Sequence, residues 1–270
     1  MKESLVNKLN KLKNSFFIKE NLSKSFNLIY LKISELIFLK KVLLGKPLII
    51  GLAGGQGSGK TTFAHFLKLI LENKYNLKTA AISIDDIYKT KKERFRISKK
   101  INKLFITRGV PGTHDVKFLN IFFEMLKNNK FNKSYLIPKF DKSIDDRLPK
   151  SKWHHLEALE DKNCKWRLKV NQHLKTDYKE LFSFIDLMIY LKVPNFNKVL
   201  AWRGLQEKKL AYSKKNMSQN KLKIMTESEI KRFIMFYERI TKKMLIDMPK
   251  FADIIVPISS NHQPKKIILN

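Results

Sequence analysis

Short apolar runs alternate along the 270-residue chain with longer stretches in which apolar side chains recur every three or four positions. The first run, Pro47-Leu48-Ile49-Ile50-Gly51-Leu52-Ala53, has Gly45-Lys46 before it and glycines after it, and predicts a buried parallel strand. Phe63, Phe66, Leu67, Ile70 and Leu71 then fall at i, i+3, i+4, i+7 and i+8, the spacing of one buried helix face. A second strand is predicted over Thr79-Ala80-Ala81-Ile82-Ser83-Ile84, ending in the carboxylates Asp85 and Asp86. Another is predicted over Phe184 to Leu191, and a last over Asp253 to Val256. Strands separated by helical stretches give an α/β fold of three layers, a doubly wound parallel sheet with helices on both faces.

Between the last two strands a helix is predicted around Asn197 to Ala211. A second one opens on Thr226-Glu227-Ser228-Glu229, a capping-box pattern, and continues with Ile230, Phe233, Ile234 and Tyr237 on one face. The polar stretch joining them, Tyr212 to Lys223, reads as a mobile lid or as a plain solvated loop. Residues 28–44 are apolar enough for a helix, either packed beside the first strand or lying as a basic amphipathic helix on a membrane surface. The chain thus divides into an N-terminal helical extension, 1–45, and one domain, 46–270.

Between the first strand and its helix stands Gly54-Gly55-Gln56-Gly57-Ser58-Gly59-Lys60-Thr61, followed by Thr62. Glycines let the backbone curl so that successive N–H groups point at phosphate oxygens, and the helix N-terminus adds partial positive charge. In such a loop Lys60 reaches the β/γ-phosphates of ATP and the Thr61 hydroxyl ligates Mg²⁺. Asp85 and Asp86 end the second predicted strand, and the carboxyl ends of neighbouring parallel strands face one crevice, beside the phosphates. Two roles fit these carboxylates. Either they cap a helix, or one takes the proton from an attacking hydroxyl while its neighbour holds a metal-bound water. Arg108-Gly109-Val110-Pro111-Gly112-Thr113-His114-Asp115 and Pro138-Lys139-Phe140-Asp141-Lys142-Ser143-Ile144-Asp145-Asp146-Arg147 are charged, turn-rich segments, either binding loops or solvated ones.

Composition alters this picture little. The 55 Lys and Arg against 24 Asp and Glu give +31, which favours a polyanionic partner. Lysine is nevertheless scattered along the whole length, beside abundant Asn, Ile and Phe, instead of gathered in a docking stripe, so no specific nucleic-acid partner is expected. The positive field still gathers ATP and acidic substrates. The single cysteine, Cys164, has no second thiol for a disulfide or a metal site, which fits a reducing compartment. No apolar run nears the roughly 18 residues of a membrane span. The expectation is a cytoplasmic protein without membrane contact.

Taken in order, GLAGGQGSGKTTF from Gly51, SIDDIY from Ser83, RGVPGTHD from Arg108, PKFDKSIDDR from Pro138, WRGLQEKKL from Trp202 and FYERIT from Phe236 resemble the D-glycerate 3-kinase (glycerate kinase) family of P-loop kinases. That family is related to uridine kinase, pantothenate kinase and phosphoribulokinase. The resemblance implies transfer of the γ-phosphate of ATP, with Mg²⁺, to a hydroxyl of a small-molecule acceptor, D-glycerate first. It implies catalytic roles for Lys60, Asp85 and Arg203, with Asp85 the general base and also, with Thr61, a metal ligand. Gly54 to Thr62 would hold the nucleotide, and Asp86, Arg108, His114, Asp115, Asp141 and Arg147 would line the acceptor pocket. Arg203 resembles a lid arginine whose forked cation meets two oxygens of the transferred group; from its helix alone it reads as a surface residue.

One part of the family pattern is missing. After the segment resembling PKFDKSIDDR the family has a buried strand of four or five aliphatic residues ending in Glu-Gly-Trp, beside the metal site. Here Leu148 to Asp161 holds no aliphatic run, which looks like an in-frame deletion near His154. Burying five aliphatic side chains is worth on the order of 8 to 15 kcal/mol, as much as the net stability of a domain. In the family's sheet this strand lies between the first and second strands. Its loss therefore predicts direct pairing of Leu48 to Leu52 with Thr79 to Ile84 and reliance on Asp85 and Asp86 at the metal. The alternative readings are a nucleotide-binding protein with impaired or no catalysis, or a P-loop kinase of another metabolite, of nucleoside or pantothenate type.

Overall fold

A computed structural model describes residues 4–18, 26–128, 165–213 and 225–270, without the side chains of 209–213. Two compact units are formed, one from Met1–Ala81, Ile185–Val199 and Leu245–Asn270, the other from Ile82–Phe184 and Leu200–Met244. In the first unit, β1 (Ile50–Gly54), β2 (Leu187–Lys192), β3 (Ile254–Pro257) and β4 (Ile268–Leu269) make one sheet in that spatial order. β2 has parallel neighbours on both sides, Leu52 opposite Ile189 and Ile189 opposite Ile254, while β4 runs antiparallel to β3. Its run Leu-Met-Ile-Tyr-Leu is almost continuously apolar because a central parallel strand is covered on both faces.

Carboxylates finish the ladders at their starts. Asp186 Oδ2 accepts the Ile49 N–H at 2.8 Å, and Asp253 Oδ2 accepts the Met188 N–H at 2.7 Å. Backbone donors left at the sheet margin thereby gain charge-assisted partners.

The helices of this unit are α1 (Leu5–Ser15), α2 (Lys32–Leu44) and α3 (Lys60–Lys74). α3 buries Phe63, Phe66, Leu67, Ile70 and Leu71, the face that the spacing predicts. Tyr30, from the π-helical turn Phe26–Leu31, sets its ring 4.8 Å from that of Phe63 and 5.4 Å from that of Phe66. Ile29, Ile33 and Ile37 are buried with it, and α2 lies against α3. Residues 28–44 therefore form a packed helix, whose neighbour is α3. Among the described residues no helix is long and apolar enough to cross a membrane.

The second predicted strand does not form. Thr79 to Ser83 enters no ladder, and Ala80, Ala81, Ser83 and Ile84 are exposed. An extended segment is held in a sheet only by a hydrogen-bonded neighbour. Among the described residues β1 pairs with β2 alone, so the direct pairing expected of Leu48–Leu52 with Thr79–Ile84 is absent too. The chain turns instead into a 3₁₀ turn at Ile84–Ile87.

That turn belongs to the second unit, which continues through α4 (Lys91–Lys100), α5 (Val116–Lys127), α6 (Lys165–Lys175) and α7 (Asp177–Ser183). α8 (Phe196–Ser213), α9 (Glu227–Met235) and α10 (Glu238–Phe251) follow, α8 and α10 straddling the division between the units. The capping box at Thr226 and Glu229 starts α9 as its pattern predicts. One cluster of the core gathers Leu104, Phe105, Val110, Trp166, Val170 and Phe236; another gathers Ile87, Val116, Leu119, Tyr178 and Leu181. Asp141, Arg147, Leu148–Asp161 and the greater part of Tyr212–Lys223 lie outside the described residues.

Phe66, at 2% exposure, and Leu43, at 87%, give opposite expectations. Phe66→Ala should cost about 3–5 kcal/mol, and Leu43→Ser less than about 0.5 kcal/mol. Urea unfolding of the full chain measures both, and equal costs would contradict the packing of α3.

Candidate active site

In the first unit β1 delivers the chain to the glycine loop and α3 carries it away. A Cβ at Gly54 would lie 2.7 Å from Ser58 Oγ and 3.0 Å from the Leu191 carbonyl oxygen, so only glycine lets the loop leave β1 this close to β2. Gly59 precedes α3 with φ +88°, a left-handed conformation that side chains disfavour, and its carbonyl accepts the Phe63 N–H at 2.8 Å. Lys60 folds its ammonium back over the loop, donating to Gly54 O at 2.8 Å and Gly55 O at 2.9 Å. Thr61 is exposed in the first turn of α3, with Thr62 next to it. Ser58 Oγ is buried with no hydrogen-bond partner among the described residues, which leaves a hydroxyl donor for an anion in the loop. His262, itself at φ +62°, reaches the Gly57 carbonyl through Nε2 at 3.1 Å.

The carboxylate pair of the second unit divides between the two roles its sequence allows. Asp86 Oδ2 accepts the Ser83 N–H at 3.3 Å and completes a capping box with the Ser83 hydroxyl. Asp85 points elsewhere, its Oδ1 accepting the Tyr88 hydroxyl at 2.6 Å. The Tyr88 ring stacks on His114, with centroids 4.5 Å apart, and the two residues share an antiparallel bridge. His114 Nδ1 is hydrogen-bonded to the Tyr178 hydroxyl. Burial lowers the His114 pKa to about 4; Asp85 opposes that shift and Lys89 adds to it. The imidazole is therefore neutral at neutral pH. Burial likewise holds the Tyr88 phenol well above its usual range, with Tyr237 and Asp85 adding to the effect, so it remains a donor.

The turn from Arg108 to Asp115 is fixed at several points. Gly109 N–H donates to Thr113 Oγ1 at 2.9 Å, Thr113 Oγ1 donates to Val110 O at 2.7 Å, and Lys89 N–H donates to Thr113 O at 2.8 Å. Asp115 is the N-cap of α5, accepting from Phe118 N–H. The Arg108 carbonyl accepts the Tyr237 hydroxyl at 2.7 Å. Arg203 is not the surface residue that its helix alone suggests. Its side chain is 12% exposed, paired with the buried carboxylate of Glu207, bonded to Gln206 Oε1 at 3.2 Å, and set 5.4 Å over the Phe233 ring.

Asp85, Arg108, His114 and Arg203 thus lie in one unit, interleaved with Tyr88, Tyr178 and Tyr237, which the sequence does not single out by chemistry. Tyr88 and Tyr237 do stand inside the quoted segments SIDDIY and FYERIT, and Tyr237 also falls on the apolar face predicted after Thr226. Asp86 and Asp115 are engaged as helix caps, and the loop residues Gly54 to Thr62 belong to the other unit.

Comparison with known proteins gives homologues that are kinases. The uncharacterized kinase mug58 of Schizosaccharomyces pombe is 29% identical over 249 residues, covering 78% of this chain and 88% of its own. The chloroplastic D-glycerate 3-kinase of Arabidopsis thaliana is 29% identical over 184 residues, 58% of this chain, and the probable ATP-dependent kinase TDA10 of Saccharomyces cerevisiae is 36% identical over 104 residues, 36% of this chain. The chain spans only 40% and 36% of those two relatives. Among solved structures the YGR205w protein superposes with a TM-score of 0.66 at 24% identity over 88% of this chain and 95% of its own. The D-glycerate 3-kinase of Cryptococcus neoformans does so with 0.59 at 22% over 83% and 90%. No protein-family model matches the sequence. The relatives are those of the P-loop kinase group that the motifs resemble, and the fold is the α/β fold of these kinases.

The buried neutral His114 has a consequence for stability. Its folded pKa lies below the unfolded value of 6.5, so between about 6.5 and about 4 the unfolded chain binds a proton that the folded chain refuses. Stability should be unaffected by this group above pH 6.5 and fall as the pH drops through that window. His114→Gln should flatten the pH dependence of the urea midpoint there, and an unchanged slope would mean that His114 is accessible to protons.

Proposed function

We propose that the chain is an ATP-dependent kinase that moves the γ-phosphate to a hydroxyl of a small acid, with D-glycerate the first acceptor. The observation that carries this reading is the glycine loop between β1 and α3, with the Lys60 ammonium folded over it. In it the backbone of Gly54 to Gly59 would cradle the phosphates, Lys60 would neutralise charge on the β/γ-oxygens, and Thr62 would close the first turn of α3. The Thr61 hydroxyl, an exposed hard oxygen, fits Mg²⁺, which in such sites takes its other ligands largely from phosphates and water. That ion would supply charge neutralisation on the phosphates. Among the described residues no cluster of three His, Cys, Asp or Glu side chains offers a protein-only metal site.

In the second unit Asp85 would take the proton of the attacking hydroxyl, while the Tyr88 hydroxyl holds its carboxylate. Arg108 and Arg203 suit an anionic acceptor and the charge that spreads over the transferred group. His114, Asp86 and Asp115 shape the wall, with Asp141 and Arg147 assigned to the same pocket from the sequence alone. The names of the Arabidopsis and Cryptococcus relatives support glycerate as the acceptor.

A second reading, a nucleotide-binding protein without turnover, rests on the missing aliphatic run with its Glu-Gly-Trp end. It predicts that ATP raises the melting temperature while no acceptor is phosphorylated. Incubating the full chain with Mg-ATP and D-glycerate and following ADP decides between them. The kinase reading expects stimulation above the ATP-only rate and a loss of roughly 100-fold or more in Lys60→Met. A folded sample with no stimulation by any hydroxy acid rejects it.

A further inference from the structure

The Phe236-Tyr237-Glu238-Arg239-Ile240-Thr241 segment carries no role in the proposed reaction, yet Tyr237 touches both the Arg108–Gly109 turn and the Phe233 ring beneath Arg203. Tyr237 sits in the turn between α9 and α10, four residues beyond Phe233. Its hydroxyl donates to the Arg108 carbonyl at 2.7 Å. Its ring occupies the space beside Gly109, where an added Cβ would lie 1.6 Å from the phenolic oxygen and 2.6 Å from Cζ. Gly109, at φ +108°, is thus a notch that admits the phenol as well as a turn residue. On the other side the Tyr237 and Phe233 rings pack 5.1 Å apart, and the Arg203 guanidinium lies over Phe233.

We propose that Tyr237 is a positioning residue, whose hydroxyl fixes the main chain of Arg108 and whose ring, through Phe233, carries Arg203, so that one aromatic pair aligns the two cations of the acceptor site. The inference rests on the kinase reading. Three charged groups assigned to that reaction all act on the phenol: Asp85 disfavours its ionisation and Arg108 and Arg203 favour it, with burial outweighing them and keeping it protonated. The bond to Arg108 is made with a carbonyl, so removing it frees the backbone of the acceptor turn and leaves the Arg108 side chain intact. The expected defect is in acceptor binding.

Steady-state kinetics of the full chain with Mg-ATP and the hydroxy acid it phosphorylates test this. Tyr237→Phe keeps the ring and loses only the hydrogen bond; the acceptor KM should rise about 10-fold, the effect of one lost hydrogen bond, while the ATP KM and kcat stay within about twofold. Phe233→Leu should lower kcat about 10-fold by removing the aromatic face beneath Arg203, and Phe233→Tyr, which keeps that face, should restore it. An unchanged acceptor KM in Tyr237→Phe overturns the proposal. So does a parallel rise of both KM values with a lowered melting temperature, the signature of a purely structural role. A wild-type chain that phosphorylates no acceptor instead removes the kinase reading itself, and the positioning role with it.

Discussion

Parallel strands cannot be satisfied alone, and in the first unit β1 and β3 both draw their backbone partners from β2. The register follows from that shared dependence. With Gly54 opposite Leu191, the chain leaves β1 against the backbone of its neighbour, at a distance no side chain tolerates. The demand for glycine at the start of the loop is thus a property of the ladder as much as of any phosphate. Asp186 and Asp253, each just ahead of a strand, hold the ladder starts, so a slip by one residue would forfeit two charge-assisted hydrogen bonds as well as turn every side chain to the wrong face.

In the second unit the polar groups around the candidate site are held by specific partners. Arg203 has Glu207, whose carboxylate also accepts from the Met225 N–H at the entry to α9. Asp85 has Tyr88, and His114 is kept neutral against Tyr178. A buried ion pair contributes little net stability because desolvation offsets its attraction. What the Arg203–Glu207 pair provides is direction, since a guanidinium held by a carboxylate and a ring face has one orientation. The three phenols orient their partners in the same way, Tyr88 the Asp85 carboxylate, Tyr178 the His114 imidazole and Tyr237 the Arg108 carbonyl, and burial keeps them protonated.

The parts of this arrangement visible in the sequence are those governed by local rules. The i, i+3, i+4 spacing of Phe63 to Leu71 located a buried helix face, and Thr226 with Glu229 located a helix start, because each depends only on residues a few positions apart. Thr79 to Ile84 misled for the opposite reason: its residues favour a strand, but a strand needs a neighbour, and no local pattern reports whether one exists. Asp85 and Asp86 were indistinguishable as letters and separate only in three dimensions, one capping Ser83 and the other bonded to Tyr88. Arg203 read as exposed because Phe233 and Glu207 bury it jointly, one from another helix. The Tyr237 contact to Arg108 spans 129 residues and has no periodicity to announce it.

The two carbonyl contacts of Lys60 bear on what a nucleotide gains by entering the loop. On the proposed kinase reading phosphate oxygens would replace Gly54 O and Gly55 O around the ammonium, so binding would exchange one set of acceptors for another, and only the difference between neutral and anionic oxygen would contribute to affinity. A diphosphate, which offers that ammonium less negative charge, leaves the lysine with a self-made alternative. The main chain of the loop thus supplies Lys60 with acceptors of its own, and on the kinase reading the departure of a spent nucleotide would return the ammonium to them in place of exposing a bare charge.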